Sequence, residues 1–211
     1  MIIKARHNRL FLFFFQSLFW VLSRFHFRKV NIVNELNLGK GPVLLIANHF
    51  SWWDGFFAQK VNRKILKRRF HVMMLEEELK KRRFLSKTGA FSIRKGHRNA
   101  LESIEYAAGI MNRDENMLLL FPQGRFQSTH RYPLRFYNGW GRILEQTNNT
   151  PQVIFMACLS DYFENRKPTV NIYLEKAFKL NGESKKTPDA AKIEDEYNEF
   201  LKRAIDLQDK R

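Results

Sequence analysis

Residues 43–54 read Val-Leu-Leu-Ile-Ala-Asn-His-Phe-Ser-Trp-Trp-Asp, an apolar run that passes directly into a polar and aromatic segment. Five consecutive apolar residues are typical of a strand that is buried on both faces of a sheet. Further strand candidates lie at residues 91–93, 117–121, 153–159 and 170–174. Because helical spacing at residues 99–112 falls between two of these strands, we predict an α/β fold, with one mixed sheet and flanking helices in a single domain.

Three other segments complete the expected organisation. Residues 34–42 are polar and contain glycine, which indicates a turn, and residues 54–70 have a helical pattern that is rich in basic side chains. Thr187 and Pro188 are a suitable N-cap and first residue for a last helix. The apolar face of that helix would consist of Ile193, Tyr197, Phe200, Leu201, Ala204 and Ile205.

The N-terminal segment predicts contact with a membrane. Residues 10–22 are apolar except for Gln16 and Ser17, and basic residues lie on both sides. Thirteen helical residues reach about 20 Å, which is short of the roughly 30 Å hydrocarbon core of a bilayer. No small-residue cleavage site follows, so we expect an interfacial or re-entrant helix, with an ordinary core helix as the alternative. We accordingly divide the chain into a membrane-associating segment, 1–33, and an α/β domain, 34–211.

The composition is that of a globular protein with an unusual charge. The 211 residues suffice for one domain, and the net charge is +16 with 20 phenylalanines. Residues 58–100 alone carry fourteen Lys or Arg against three Glu. This charge predicts an anionic partner, and the Phe excess favours a lipid over a nucleic acid.

The single cysteine, Cys158, excludes an internal disulfide bond and any zinc site built from several cysteines. A reducing compartment is the simpler assumption, and we expect Cys158 to be a buried strand residue. The histidines at positions 7, 26, 71, 97 and 130 have no metal-ligand spacing, so we predict surface or packing roles for them and no metal site.

His49 and Asp54 form the sharpest candidate for chemistry. On one continuous helix they would point about 140° apart and could not meet. If a strand ends near His49 and a helix begins near Asp54, the carboxylate can accept the Nδ1 proton and leave Nε2 as a base. No serine or cysteine nucleophile is adjacent, so the natural use of this base is to remove a proton from a substrate hydroxyl. The alternative is a structural histidine.

Two further segments end apolar strands in groups that suit an anion. Residues 121–125 read Phe-Pro-Gln-Gly-Arg, where glycine permits close approach of an anion and arginine offers a planar fork of donors. Residues 89–96 end in Arg94, Lys95 and Gly96. Since α/β proteins place their sites at the carboxyl ends of strands, these segments and His49 are expected to share one site.

Together these three segments resemble the conserved blocks of the glycerolipid and lysophospholipid acyltransferases, which include 1-acylglycerol-3-phosphate acyltransferase. Residues 48–54 resemble the first block, a His-x4-Asp motif, and residues 89–95 resemble the second. Residues 121–125 are similar to the third block, Phe-Pro-Glu-Gly-Thr-Arg. The blocks occur in the family's order within residues 40–160.

This resemblance implies a transferase of phospholipid biosynthesis. It would be an acyltransferase of the class that transfers groups other than aminoacyl groups, and the group transferred would be a fatty acyl group. His49 would be the general base and Asp54 would orient it. The acceptor would be bound by Arg94, Lys95 and the third-block residues Phe121, Pro122, Gln123, Gly124 and Arg125. Acyl-CoA or an acidic acyl carrier protein would be the co-substrate, with no cofactor and no metal. The protein would lie on the cytoplasmic face of the cell membrane, peripheral or monotopic, with lipids and not nucleic acid as partners.

The chain departs from the family pattern in its third block. Gln123 stands where the family has Glu, Arg125 takes the place of Thr, and Phe126 falls where the family has Arg. Residues 151–156 match the family's fourth block poorly. A lysophospholipid such as lysophosphatidate is the expected acceptor, and an aminoacyl or glycosylated lipid is the alternative. A non-catalytic basic protein that binds membranes or nucleic acid is the competing class.

Overall fold

The computed structural model describes residues 2–94, 99–137, 139–177 and 190–210. In this part of the chain a seven-stranded mixed sheet has the order β1-β7-β6-β2-β5-β3-β4. The strands are β1 (Lys29–Asn34), β2 (Val43–Ala47), β3 (Arg69–Leu75), β4 (Ala90–Ile93), β5 (Asn116–Leu120), β6 (Gln152–Asp161) and β7 (Thr169–Lys176).

The strands at the centre of the sheet run in one direction. β6, β2, β5, β3 and β4 are parallel neighbours, whereas β7 is antiparallel to β6 and parallel to β1. Both faces of β2 and β5 are buried, as their continuous apolar sequences predict. Because parallel strands end at the same edge, the segments after β2, β4 and β5 all emerge on one edge of the sheet.

Helices cover both faces of the sheet. They are α1 (Arg9–His26), α2 (Asp54–Val61), α3 (Glu76–Lys81), α4 (Asn99–Met111), α5 (Gly141–Glu145) and α6 (Ala190–Asp209), with a π-helical turn at Asn62–Leu66 and a 3-10 turn at Arg83–Thr88. α4, α5 and α6 pack on the face that carries Leu44 and Ile46 of β2. α1 and α2 pack on the face that carries Val43 and Leu45. The predicted α/β class, with flanking helices on one sheet, is confirmed.

Two strands were missed by the sequence reasoning. β3 begins at Arg69, so the helix expected over residues 54–70 is too long: α2 ends at Val61 and the π-helical turn ends at Leu66. Lys67 then adopts a left-handed conformation, with φ of 52°, that stops the helix. β1 lies in the segment that was assigned to membrane association, although the alternation of Val30 and Ile32 is a strand signal. The domain boundary after residue 33 stays a prediction.

α1 has apolar side chains both on the side that packs on the domain and on its exposed surface. Asn8 caps it, because its side chain accepts a hydrogen bond from the backbone N–H of Phe11. On one side Phe15 and Phe19 stack on Phe56 of α2, with ring centroids 6.0 and 5.2 Å apart. The other side is exposed and presents Leu10, Phe13, Phe14, Trp20, Val21 and Phe25. Within the described ranges, the helices are all too short or too polar to cross a bilayer.

The other expected elements are present with small changes of boundary. β4, β5, β6 and β7 cover the predicted strands, and α4 covers the predicted helix at residues 99–112. Cys158 is fully buried in β6, as predicted, and burial raises the pKa of its thiol. Thr187 and Pro188 lie outside the described residues. Ile193, Tyr197 and Phe200 of α6 are buried against the sheet, as expected for its apolar face.

Candidate active site

His49 and Asp54 meet at the carboxyl end of β2. The strand ends at Ala47, residues 48–53 turn, and Asp54 is the first residue of α2. The Nδ1–H of His49 donates to Oδ2 of Asp54 at 2.8 Å. In the neutral imidazole, a carboxylate that accepts from Nδ1 leaves Nε2 as the acceptor of the ring. The strand, turn and helix expected from the five-residue spacing are therefore present.

Asp54 is fully buried and is held by three donors. Its Oδ2 accepts from the backbone N–H groups of Phe50 and Ser51, at 2.8 and 2.9 Å, as well as from His49. Its Oδ1 has no hydrogen-bond partner among the described residues. Burial raises the pKa of Asp54, and the hydrogen bonds from His49, Ser51 and Phe50 oppose that rise. The carboxyl group is thus locked in orientation by the turn that it closes.

Two phenyl rings hold the His49 imidazole between them. The Phe121 ring stacks on it with centroids 4.1 Å apart and an interplanar angle of 16°. The Phe126 ring lies 4.1 Å away at 38°, and 57% of Phe126 is exposed. Phe126 occupies the position where the resembling family has arginine, and in this chain its phenyl ring packs on the histidine. The sequence contains no local signal for this contact, because the two residues are 77 positions apart.

The backbone around His49 is fixed by two amide side chains. Gln123 is buried and its Oε1 accepts the His49 backbone N–H at 2.6 Å. Asn48 extends the pairing of β2 with β6, because its side chain accepts from the Cys158 N–H and donates to the Cys158 carbonyl, at 2.8 and 2.9 Å. Asn48 belongs to the first block, and its sequence context predicts no site role beyond its position beside His49.

Arg94 and Arg125 lie at the same edge of the sheet but differ in their surroundings. Arg94 directly follows β4, and its Nε and Nη2 donate to the carboxylate of Glu76 at 2.7 and 2.8 Å. The hydrogen bonds from Arg94 and Lys80 lower the pKa of Glu76 to about 2. Lys95 lies outside the described residues. Arg125 is exposed and lines the cavity beside His49.

The turn after β5 supplies the other third-block residues. Gly124 has a φ of 63°, which favours glycine, and its N–H donates to the Phe121 carbonyl at 2.9 Å. Phe121, Pro122 and Gly124 face the cavity. The turn therefore brings backbone and aromatic surface to His49.

A cavity of about 1240 Å³ opens at this edge of the sheet, and His49 lies in its wall. On the α1 and α2 side its lining includes Phe15, Trp52 and Phe56, and on the α5 side it includes Trp140 and Ile143. Such a volume exceeds that of most small-molecule pockets, and its largely aromatic and aliphatic wall suits an acyl chain.

The two adjacent tryptophans in the first block have different roles. Trp52 lines the cavity and is about half exposed. Trp53 packs between Phe19 and Phe27, with ring centroids 6.0 and 5.3 Å away. Among the residues that the structure describes, no group of three or more His, Cys, Asp or Glu side chains is arranged to hold a metal ion.

Comparisons with known proteins identify the family of this chain. The sequence profile of the Acyltransferase family matches residues 28–160, which is more than half of the chain and includes all three blocks. No curated protein sequence matches the chain.

Among solved structures, the chain is similar to the 1-acyl-sn-glycerophosphate (LPA) acyltransferase PlsC from Thermotoga maritima. The TM-score is 0.61 at 16% sequence identity, with 95% of this chain and 81% of that chain covered. At this identity the likeness concerns the fold. The family resemblance drawn from the three sequence blocks is confirmed by the profile match: this chain belongs to the acyltransferase family and is an enzyme that transfers acyl groups.

Proposed function

We propose that this enzyme transfers a fatty acyl group from a CoA or acyl carrier protein thioester to the hydroxyl of a lysophospholipid, such as lysophosphatidate. The observation that carries the proposal is the His49–Asp54 pair, whose imidazole lies in the wall of a large apolar cavity. Among the described residues, no serine, threonine or cysteine side chain is hydrogen-bonded to the His49 ring, and such a base suits direct attack by a substrate hydroxyl.

The proposed reaction is a single displacement through a tetrahedral intermediate. The acceptor oxygen bonds to the thioester carbonyl carbon while Nε2 of His49 takes the hydroxyl proton. The carbon–sulfur bond then breaks, and the imidazolium returns the proton to the departing sulfur. The products are an ester and a free thiol, and His49 is neutral again. Asp54 stabilises the imidazolium that exists between these steps.

The acceptor phosphate is proposed to lie near Arg125, with Arg94 and Lys95 as its other contacts. Arg125 is exposed and lines the cavity close to His49. Arg94 already binds Glu76 through Nε and Nη2, so Nη1 is the group that it offers to a phosphate. A guanidinium bound to a carboxylate keeps its planar donors ordered, which lowers the entropic cost of binding a second anion.

The membrane is proposed to meet the exposed face of α1. This face carries Leu10, Phe14 and Phe25, and Arg24 lies over the Trp20 ring at 5.0 Å. Aromatic side chains with adjacent cations are typical of a helix that lies in the headgroup region. Since Phe15 of the same helix lines the cavity, a lipid acceptor would enter the cavity without leaving the bilayer surface. The cytoplasmic face is proposed because a single buried cysteine suits a reducing compartment.

The test is acceptor-dependent release of free thiol. Purified protein in detergent is incubated with palmitoyl-CoA or palmitoyl carrier protein, with and without lysophosphatidate, and the lipid product is identified by mass. We expect release that needs the acceptor and that falls by a factor on the order of 10³ in His49→Ala. His130→Ala changes an exposed histidine and is the control. Full activity of His49→Ala would contradict the mechanism, and acylation only of a lipid without phosphate would contradict the proposed acceptor.

The phosphate contacts are tested separately. We expect Arg125→Ala to raise the Michaelis constant for lysophosphatidate about tenfold or more while kcat changes little, since the arginine is proposed to bind ground and transition states alike. An unchanged constant would show that the phosphate is bound elsewhere.

A further inference from the structure

Gln123 differs from its neighbours in the turn after β5. Residues 120–122 and 124–126 all line the cavity, and Gln123 alone within 120–126 does not. Only 2% of Gln123 is exposed, and its side chain points back towards the end of β2. A residue with this placement does not contact a substrate in the cavity.

A closed circuit of three hydrogen bonds joins Gln123 to His49. The His49 backbone N–H donates to Gln123 Oε1 at 2.6 Å, and Gln123 Nε2 donates to Gln127 Oε1 at 2.8 Å. The backbone N–H of Gln127 then donates to the His49 carbonyl at 2.9 Å. The bond to His49 needs only an acceptor on the side chain at position 123, which an amide or a carboxylate supplies, and the amide of Gln123 adds a donor to Gln127.

This circuit engages both backbone polar groups of the residue that carries the proposed base. β2 ends at Ala47, so the N–H and carbonyl of His49 have no partner in the sheet ladder. Without Gln123 the His49 N–H would lose its acceptor, and the peptide could rotate about the end of the strand. Because the imidazole extends from this backbone, such a rotation moves Nε2 relative to the cavity.

From this geometry we infer that Gln123 is a positioning residue, which orients His49 through its backbone and does not bind substrate. The inference rests on the proposed role of His49 as the base. It also explains how glutamine serves where the resembling family has glutamate: its amide oxygen accepts the histidine N–H, and its amide nitrogen secures Gln127.

The experiment compares Gln123→Leu with Gln152→Leu in the full-length protein. Gln152 serves as the matched control because it is also a buried glutamine whose side chain bonds to the backbone. Its side chain accepts from the Gly39 N–H at 2.7 Å and donates to the Gly39 carbonyl at 2.9 Å. It lies at the start of β6, which is the opposite edge of the parallel strands. Both variants lose buried hydrogen bonds, but only Gln123→Leu frees the His49 backbone.

We expect Gln123→Leu to lower kcat by a factor on the order of 100, the scale of a misplacement of about 1 Å, with unchanged Michaelis constants. Gln152→Leu should lower the melting temperature comparably and leave kcat near that of the wild type. Gln123→Glu keeps an acceptor for the His49 N–H and should recover activity to within about tenfold of the wild type.

Three results would overturn the inference while leaving the acyltransferase proposal intact. These are a raised Michaelis constant with unchanged kcat in Gln123→Leu, an equal loss of kcat in Gln152→Leu, and no recovery in Gln123→Glu. If Gln123→Leu does not fold, Gln127→Leu takes its place, because it removes only the bond between the side chains of Gln123 and Gln127. Its kcat and Michaelis constants are then compared with those of the wild type. An inactive wild type with an inactive His49→Ala would instead count against the proposed function.

Discussion

Replacing Asp54 by asparagine tests whether the charge of this residue, and not its shape, drives the reaction. Three donors converge on Oδ2, from His49, Phe50 and Ser51, so an asparagine must keep its oxygen there. Its amide nitrogen then takes the place of Oδ1, which has no partner among the described residues. The tautomer and orientation of His49 are thereby preserved, and only the negative charge is lost.

The expected loss follows from the distance between the two charges. The imidazolium formed during reaction and the Asp54 carboxylate have an Nδ1–Oδ2 separation of 2.8 Å, and their charge centres lie about 4 Å apart. With an effective dielectric constant of about 20, their attraction is about 4 kcal/mol. The ground state, with a neutral imidazole, does not have this stabilisation. Asp54→Asn should therefore lower kcat by a factor on the order of 10³.

The assay is thiol release at saturating acceptor, measured as kcat for wild type and Asp54→Asn, with circular dichroism to show that both are folded. Asp114→Asn is the control, because Asp114 is exposed and lies before β5 at the far edge of the sheet. If Asp54→Asn retains more than about a tenth of the wild-type kcat, electrostatic stabilisation of His49 by Asp54 is refuted.

Three further predictions concern stability and membrane binding. Gly89 has a φ of +107°, and a Cβ there would lie 2.1 Å from the Phe70 carbonyl oxygen. Gly89→Ala should therefore lower the free energy of unfolding in urea by about 3 kcal/mol. Gly109→Ala is the control: its Cβ would meet nothing within 4 Å in α4, so it should raise the free energy of unfolding by about 0.5 to 1 kcal/mol. Equal effects would contradict the clash. Burial, followed by the neighbouring charge of His7, lowers the pKa of His71 from 6.5 to about 4, so its contribution to stability is fully present above pH 6.5 and is lost as the pH falls to 4. His71→Asn should accordingly show a smaller fall in melting temperature between pH 7 and 4, and an unchanged pH profile would exclude His71 as the source. Phe14→Glu, on the exposed face of α1, should weaken the affinity for anionic vesicles roughly tenfold in a sedimentation assay. Leu207→Glu, on α6, should leave that affinity unchanged. Equal binding by both variants would show that α1 is not the membrane-facing helix.

The central strands and the dyad were predictable because their signals are local. The runs at residues 43–47 and 117–120 are apolar at every position, which only burial on both faces explains. The five-residue separation of His49 and Asp54 excludes a helical pairing and requires a turn between strand and helix, and the structure has that turn.

The missed elements had weaker local signals. β3 contains Arg69 and His71 and follows a long basic segment, so its pattern resembles the end of a helix as much as a strand. Its identity comes from pairing with β4 and β5, whose paired residues lie 18 and 47 positions later in the chain. Strand propensity alone does not specify such partners, because it measures packing against neighbours that the sequence does not name.

Local hydrophobicity is enough to predict which residues end buried strands, and therefore that His49, Arg94 and the turn after β5 reach one edge of a sheet. What each of them contacts there depends on how the whole chain folds. Glu76 accepts hydrogen bonds from the Arg94 guanidinium, and Phe126 packs on the His49 ring. Gln123 accepts the hydrogen bond of the His49 backbone N–H. The physical reason is that strand ends are set by local hydrophobicity, whereas these contacts depend on strand order and on loop conformations that bring residues 18 to 77 positions apart within hydrogen-bonding or van der Waals distance.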